Sequence, residues 1–181
     1  MTDTRTDPLL LAGKAITIFM QGVMAIAAFA LILVIPAFLI FGADIQAEAV
    51  EEFGATASAF PTAATIGLLV IALAVVAVVF LFFDMLRRII VTVEHGDPFV
   101  PVNAGRLSRM AWLLLGVQVL MVPAAGLGLT LAKWADEVEN ANVTVDAGLD
   151  LTAILMVVVL FILARVFKRG AEMRADLEGT V

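Results

Sequence analysis

Hydrophobic residues fall into four long uncharged runs separated by short polar passages. Ala15 to Ala43 continues for 29 residues without a charge, Phe53 to Phe83 for 31, Met110 to Ala132 for 23 and Leu151 to Ala164 for 14. A helix needs about 20 apolar residues to cross a bilayer. The first three runs exceed that length. The fourth reaches it when its helix starts upstream, near Val145, and Arg165 snorkels toward the interface. The pattern predicts spans near 15–41, 62–94, 110–134 and 148–169, joined midway by a loop over 95–109 and followed by a tail over 170–181. The expected fold is all-α, a single transmembrane domain over 1–181. It reads as an integral membrane four-helix bundle made of two antiparallel transmembrane hairpins. Ala28-Phe29-Ala30 has the form of a cleavage site, but the apolar run continues past it. Signal peptides carry only roughly 7–15 apolar residues, so the first span is expected to stay uncleaved.

Punctuation refines the elements. Pro36 and Pro123 lie inside spans one and three and are expected to kink them. No breaker follows Phe83 until Gly96, so span two should project beyond the bilayer. Asp84 precedes Arg87 and Arg88 by three and four residues, a spacing that permits helical ion pairs. Trp112 and Trp134 are separated by 22 positions, about 33 Å at helical rise, and Trp favours both membrane interfaces. Ala124 and Gly128 would permit close helix contact. Asp150 suits an N-cap for span four. A short interfacial helix is expected to begin at Pro8.

Charge then orients the chain. Arg5, Lys14, Arg87, Arg88, Arg106, Arg109, Arg165, Lys168, Arg169 and Arg174 lie in the N-terminus, the central loop with its helix ends, and the tail; the two remaining loops hold Lys133 alone. Lys and Arg concentrate on the cytoplasmic side. With four spans, both termini and the central loop are therefore expected in the cytoplasm. Ten bases against eight acids give that side a net +2, and one base against nine acids gives the other −8. The whole chain is 62% hydrophobic and 15% charged, with mean hydropathy +1.08. The expected location is a cytoplasmic (inner) membrane, crossed several times. The acidic outer loops read as solvated, topology-enforcing segments, with a cation or basic-partner site as the alternative.

Candidate chemistry is sparse. Cys is absent and there is one His, so thiolate sites, disulfides and His clusters are excluded. No metal, cofactor or enzymatic activity is expected, and the net charge of −6 argues against direct nucleic-acid binding. The spans carry no mid-membrane Asp, Glu, Lys or Arg of the kind coupled transporters use. Gln21 and Gln118 should lie at similar depth on parallel helices and form an interhelical polar pair; a ligand or ion site is the alternative. His95 reads as a solvated loop residue. Phe99 and Val100 are apolar residues in a polar loop. Phe99 should tuck under the projecting end of span two or against the tail helix, because burying a Phe is worth roughly 1.5–3 kcal/mol. Asn103 should cap span three or pair with the loop backbone. Arg106, Arg109, Lys168 and Arg169 should form a basic rim beside this loop, facing anionic lipid or an acidic patch of a partner.

Gly96-Asp97-Pro98-Phe99, followed by Asn103 and Leu107, resembles the central-loop signature of a family of small four-span bacterial membrane proteins. That family is the domain of unknown function two-nine-seven-five. Ala164-Arg165-Val166-Phe167-Lys168-Arg169-Gly170, with the ending Leu177-Glu178-Gly179-Thr180-Val181, resembles its C-terminal signature. Arg165 departs from the pattern, which has an acidic residue there. The resemblance implies pairing with a small helix-turn-helix transcription regulator of the Cro repressor type. The leading expectation is therefore a non-enzymatic membrane protein whose cytoplasmic loop and tail dock a soluble partner. The candidate docking residues are Phe99, Asn103, Arg106, Arg109, Lys168 and Arg169. The alternatives are an accessory subunit of a larger membrane complex and a small-molecule or ion conduit; homo-oligomer formation is left open.

Overall fold

The computed structural model describes residues 8–53, 60–139, 143–145, 148 and 150–178. Four helices account for nearly all of them: α1 (Pro8–Phe53), α2 (Thr62–Glu94), α3 (Pro101–Glu139) and α4 (Leu151–Glu178). All four are long and apolar enough to cross a membrane. At 1.5 Å per residue the shortest is about 42 Å long and the longest about 69 Å, against about 30 Å of hydrocarbon. Every helix therefore has turns to spare outside the apolar layer.

The helix ends follow local chemistry. Asp150 caps α4: its Oδ1 accepts from the amides of Thr152 at 2.8 Å and Ala153 at 3.2 Å. That cap fixes the start at Leu151, inside the expected boundary of 148. Pro101 opens α3, where a missing N–H is harmless. This helix thus begins nine residues before the expected 110 and takes over most of the expected 95–109 loop. α4 likewise continues through the expected tail to Glu178, while residues 179–181 lie outside the described residues, as do residues 1–7 and Asp146. α1 and α3 each run through their proline, Pro36 and Pro123, as one helix. The short helix expected at Pro8 is the first turn of α1 itself.

The chain divides into two compact units. The first comprises the described residues of Met1–Ala25, Val78–Gly116 and Asp150–Val181. Its core joins Ile89 of α2, Leu107, Met110 and Ala111 of α3, and Val157, Leu160 and Ala164 of α4. α1 packs alongside through Gly13, whose Cα faces the Ile90 side chain. Lys14 Nζ reaches Glu94 Oε2 at 3.1 Å. Of the ten described basic residues this unit holds nine.

The second unit comprises the described residues of Ile26–Ala77 and Val117–Leu149. Its helices meet at small residues: Gly42 faces Thr62, and Gly67 faces Leu127 closely. Gly128 meets the non-helical Val145, not another helix. Trp134 stacks edge-on against Phe60, ring centroids 5.0 Å apart. Lys133 is the basic residue of this unit. Large apolar side chains point outward on α1 in both units, with Phe19, Ile26, Phe29 and Ile40 all at least 64% exposed. Water would penalise that surface, whereas acyl chains cover it without cost.

Candidate functional site

The site grows from the end of α2 in the first unit. Gly96 has φ +78°, the left-handed conformation that terminates many helices and that favours Gly. Its amide donates to Val93 O at 2.9 Å, and the Asp97 amide donates to Thr92 O at 3.1 Å. These are the paired bonds of a Schellman cap. The cap turns the chain back so that Pro98 to Val100 pass beside α2 and deliver Pro101 to the start of α3.

Asn103 locks this turn. It is completely buried. Its Nδ2 donates to Thr92 Oγ1 at 2.6 Å and to Pro98 O at 2.9 Å. The Thr92 hydroxyl in turn donates to Ile89 O at 2.6 Å. Arg106 Nη1 donates to Asn103 Oδ1 at 2.9 Å and to Arg88 O at 3.2 Å. One amide therefore ties α2, the turn and α3 together. Asn103 sits within the first turn of α3, so of its two expected roles it has the pairing with the loop backbone and not the cap. Losing a buried partner of this kind costs about 1–3 kcal/mol.

Phe99 lies against the outer half of α4. Its ring centroid is 5.3 Å from that of Phe167, tilted by 44°, while the residue stays 40% exposed. The contact depends on Gly170: a Cβ there would sit 2.5 Å from Phe99 Cδ1. Asp97 and Arg174 add an ion pair between turn and tail. Exposed pairs of this type contribute at most about 1 kcal/mol, so the ring contact and the Asn103 bonds carry the fixation.

The four bases expected to share one rim line different surfaces. Lys168 and Arg165 line a groove of about 640 Å³ between α3 and α4. Its other lining residues are mainly small, Ala104, Gly105 and Ser108 of α3 with Ala164, Ala171 and Ala175 of α4. Arg106 faces α2 beside Arg87 and Arg88. Arg169 lies with Arg165 next to Ile162 and Val166, and Arg109 is exposed. Gln21 belongs to the first unit and is half-buried; Gln118 belongs to the second and is buried. Sequence reasoning passed over Thr92 and Gly170. The lone hydroxyl in Ile89-Ile90-Val91-Thr92-Val93, one turn before Gly96, was the available signal for the first. A glycine within an amphipathic tail was the signal for the second.

A family model described as "Protein of unknown function (DUF2975)" matches residues 50–181. No curated protein and no solved structure matches the chain.

Proposed function

The chain belongs to the DUF2975 family, proteins of unknown function, and we propose that it is a non-enzymatic, multi-pass protein of a bacterial cytoplasmic membrane that docks a soluble partner. Both termini and the 95–100 turn face the cytoplasm in this reading. Its support is the partition of basic residues, nine in the first unit against Lys133 in the second, together with the preference of Lys and Arg for that side.

The observation that carries docking is the pre-set geometry of the face. The turn is fixed by Asn103 and pinned to α4 by Phe99, and beside it lies the α3–α4 groove, floored by small side chains and flanked by Arg165, Lys168 and Glu172. A surface ordered before binding loses less conformational entropy on association. Small floor residues admit a ridge of apolar side chains, and the bases favour acids beside that ridge. An amphipathic helix with acidic edges meets both demands. The partner class implied by the resemblance is a small helix-turn-helix regulator. Photo-crosslinking in cells tests the reading. A photoreactive residue at Ser108, in the groove, should join a soluble protein, and one at Val119, an exposed apolar position of α3, should not. Equal yields from both positions would refute it.

A further inference from the structure

A second feature of the first unit shares only Arg106 with that docking reading. Arg87, Arg88 and Arg106 surround an open cavity of about 370 Å³, with Asp84, Val91 and Thr92 completing its lining. Three guanidiniums against one carboxylate leave it a net +2. Asp84 Oδ2 holds Arg88 Nε at 2.8 Å, and Arg106 is oriented by its bonds to Asn103 Oδ1 and Arg88 O. The Arg87 guanidinium makes no hydrogen bond or ion pair with any described residue, and the residue is exposed.

Depth decides what such a cavity meets. Uncharged sequence in α2 ends at Phe83, and in α3 it begins at Met110. Arg87 lies four residues beyond the first limit and Arg106 four residues beyond the second, about 6 Å outside the apolar layer on either helix. The polar zone of one leaflet is roughly 5–8 Å deep. Two helices thus raise three guanidiniums to the height of lipid phosphates. A guanidinium binds phosphate through two parallel N–H groups, and basic pockets between membrane helices are established headgroup sites.

We propose that this cavity is a phosphate site that holds the headgroup of an anionic glycerophospholipid, with Arg87 the free ligand and Arg106 the pre-oriented one. Because Arg106 is also bonded to Asn103, a bound headgroup would brace the α2–α3 turn.

The test uses the full-length protein in mild detergent, titrated with short-chain phosphatidylglycerol, short-chain phosphatidylcholine or inorganic phosphate, with binding read by native mass spectrometry and calorimetry. Phosphatidylglycerol should bind in preference to phosphatidylcholine. Arg87→Gln should weaken it about tenfold, equivalent to about 1.4 kcal/mol, and Arg87→Lys should fall between, since Lys lacks the fork. The pair Arg165→Gln with Lys168→Gln, on the other face, should change it less than about twofold. Arg87→Gln removes no internal bond, so its thermal melt should match wild type and separate binding from folding. Equal binding of both lipids would overturn the proposal. So would equal weakening by the Arg165/Lys168 pair, which would mean unspecific attraction. Inorganic phosphate binding with the same Arg87 sensitivity, without phosphatidylglycerol binding, would overturn the lipid assignment and leave a free anion as the ligand.

Discussion

Gly170→Ala isolates the contact between turn and tail. In an ordinary helix this change stabilises by about 1 kcal/mol, because Ala loses less backbone entropy than Gly. Here the new Cβ would lie 2.5 Å from Phe99 Cδ1 and 2.9 Å from Cε1, inside any tolerable carbon–carbon separation. The ring must leave its seat against Phe167. Phe99 is 40% exposed, so roughly three-fifths of a full Phe burial is at stake, about 1–2 kcal/mol. The aromatic pair adds about 0.5–1.5 kcal/mol. Subtracting the helical gain leaves a net destabilisation of about 0.5–2.5 kcal/mol. In a Phe99→Ala background there is no ring to displace, and the same change should stabilise by about 1 kcal/mol. The sign therefore reverses between backgrounds, a coupling of about 2 kcal/mol. Hydrogen exchange of amides 170–178 in nanodiscs reads this as an approximately 30-fold difference in protection. Stabilisation of equal size in both backgrounds would refute the packing argument.

Other consequences are checked separately. Asn103→Ala should destabilise by about 1–3 kcal/mol in thermal melts, more than Thr92→Val, which leaves the Pro98 bond intact. Asp150→Ala should cost about 0.5–2 kcal/mol and speed amide exchange at Thr152 and Ala153, whose protons it accepts. Reporter fusions should read external at Gly148 and internal after Glu178; an internal reading at Gly148 would remove the assigned orientation.

Much of this architecture is visible in the chain because membrane spans are written in long uncharged runs. α2 has the bounds that Thr62 and Gly96 imply, and Asp150 caps as its position before Leu151 suggests. The extension of α3 back to Pro101 was hidden, since proline at a first helical position and proline in a loop look alike in sequence. The separation of these basic residues onto different surfaces was also hidden. Arg106 and Lys168 are both juxtamembrane bases, and only the rotations of α3 and α4 about their own axes send the first toward α2 and the second into the groove. Phe99 was legible as an apolar residue needing cover, but its seat depends on Gly170, 71 positions away, which no local pattern reports.

The most direct test of the docking role is mild-detergent capture with mass spectrometry, run in parallel on wild type, the double variant Phe99→Ala with Asn103→Ala, and Arg106→Glu. Docking on a fixed face predicts a soluble protein held by wild type and released by the double variant, while reporter fusions show unchanged insertion and orientation. Retention of the same soluble protein by all three chains would contradict it and reduce residues 95–100 to a connector between α2 and α3.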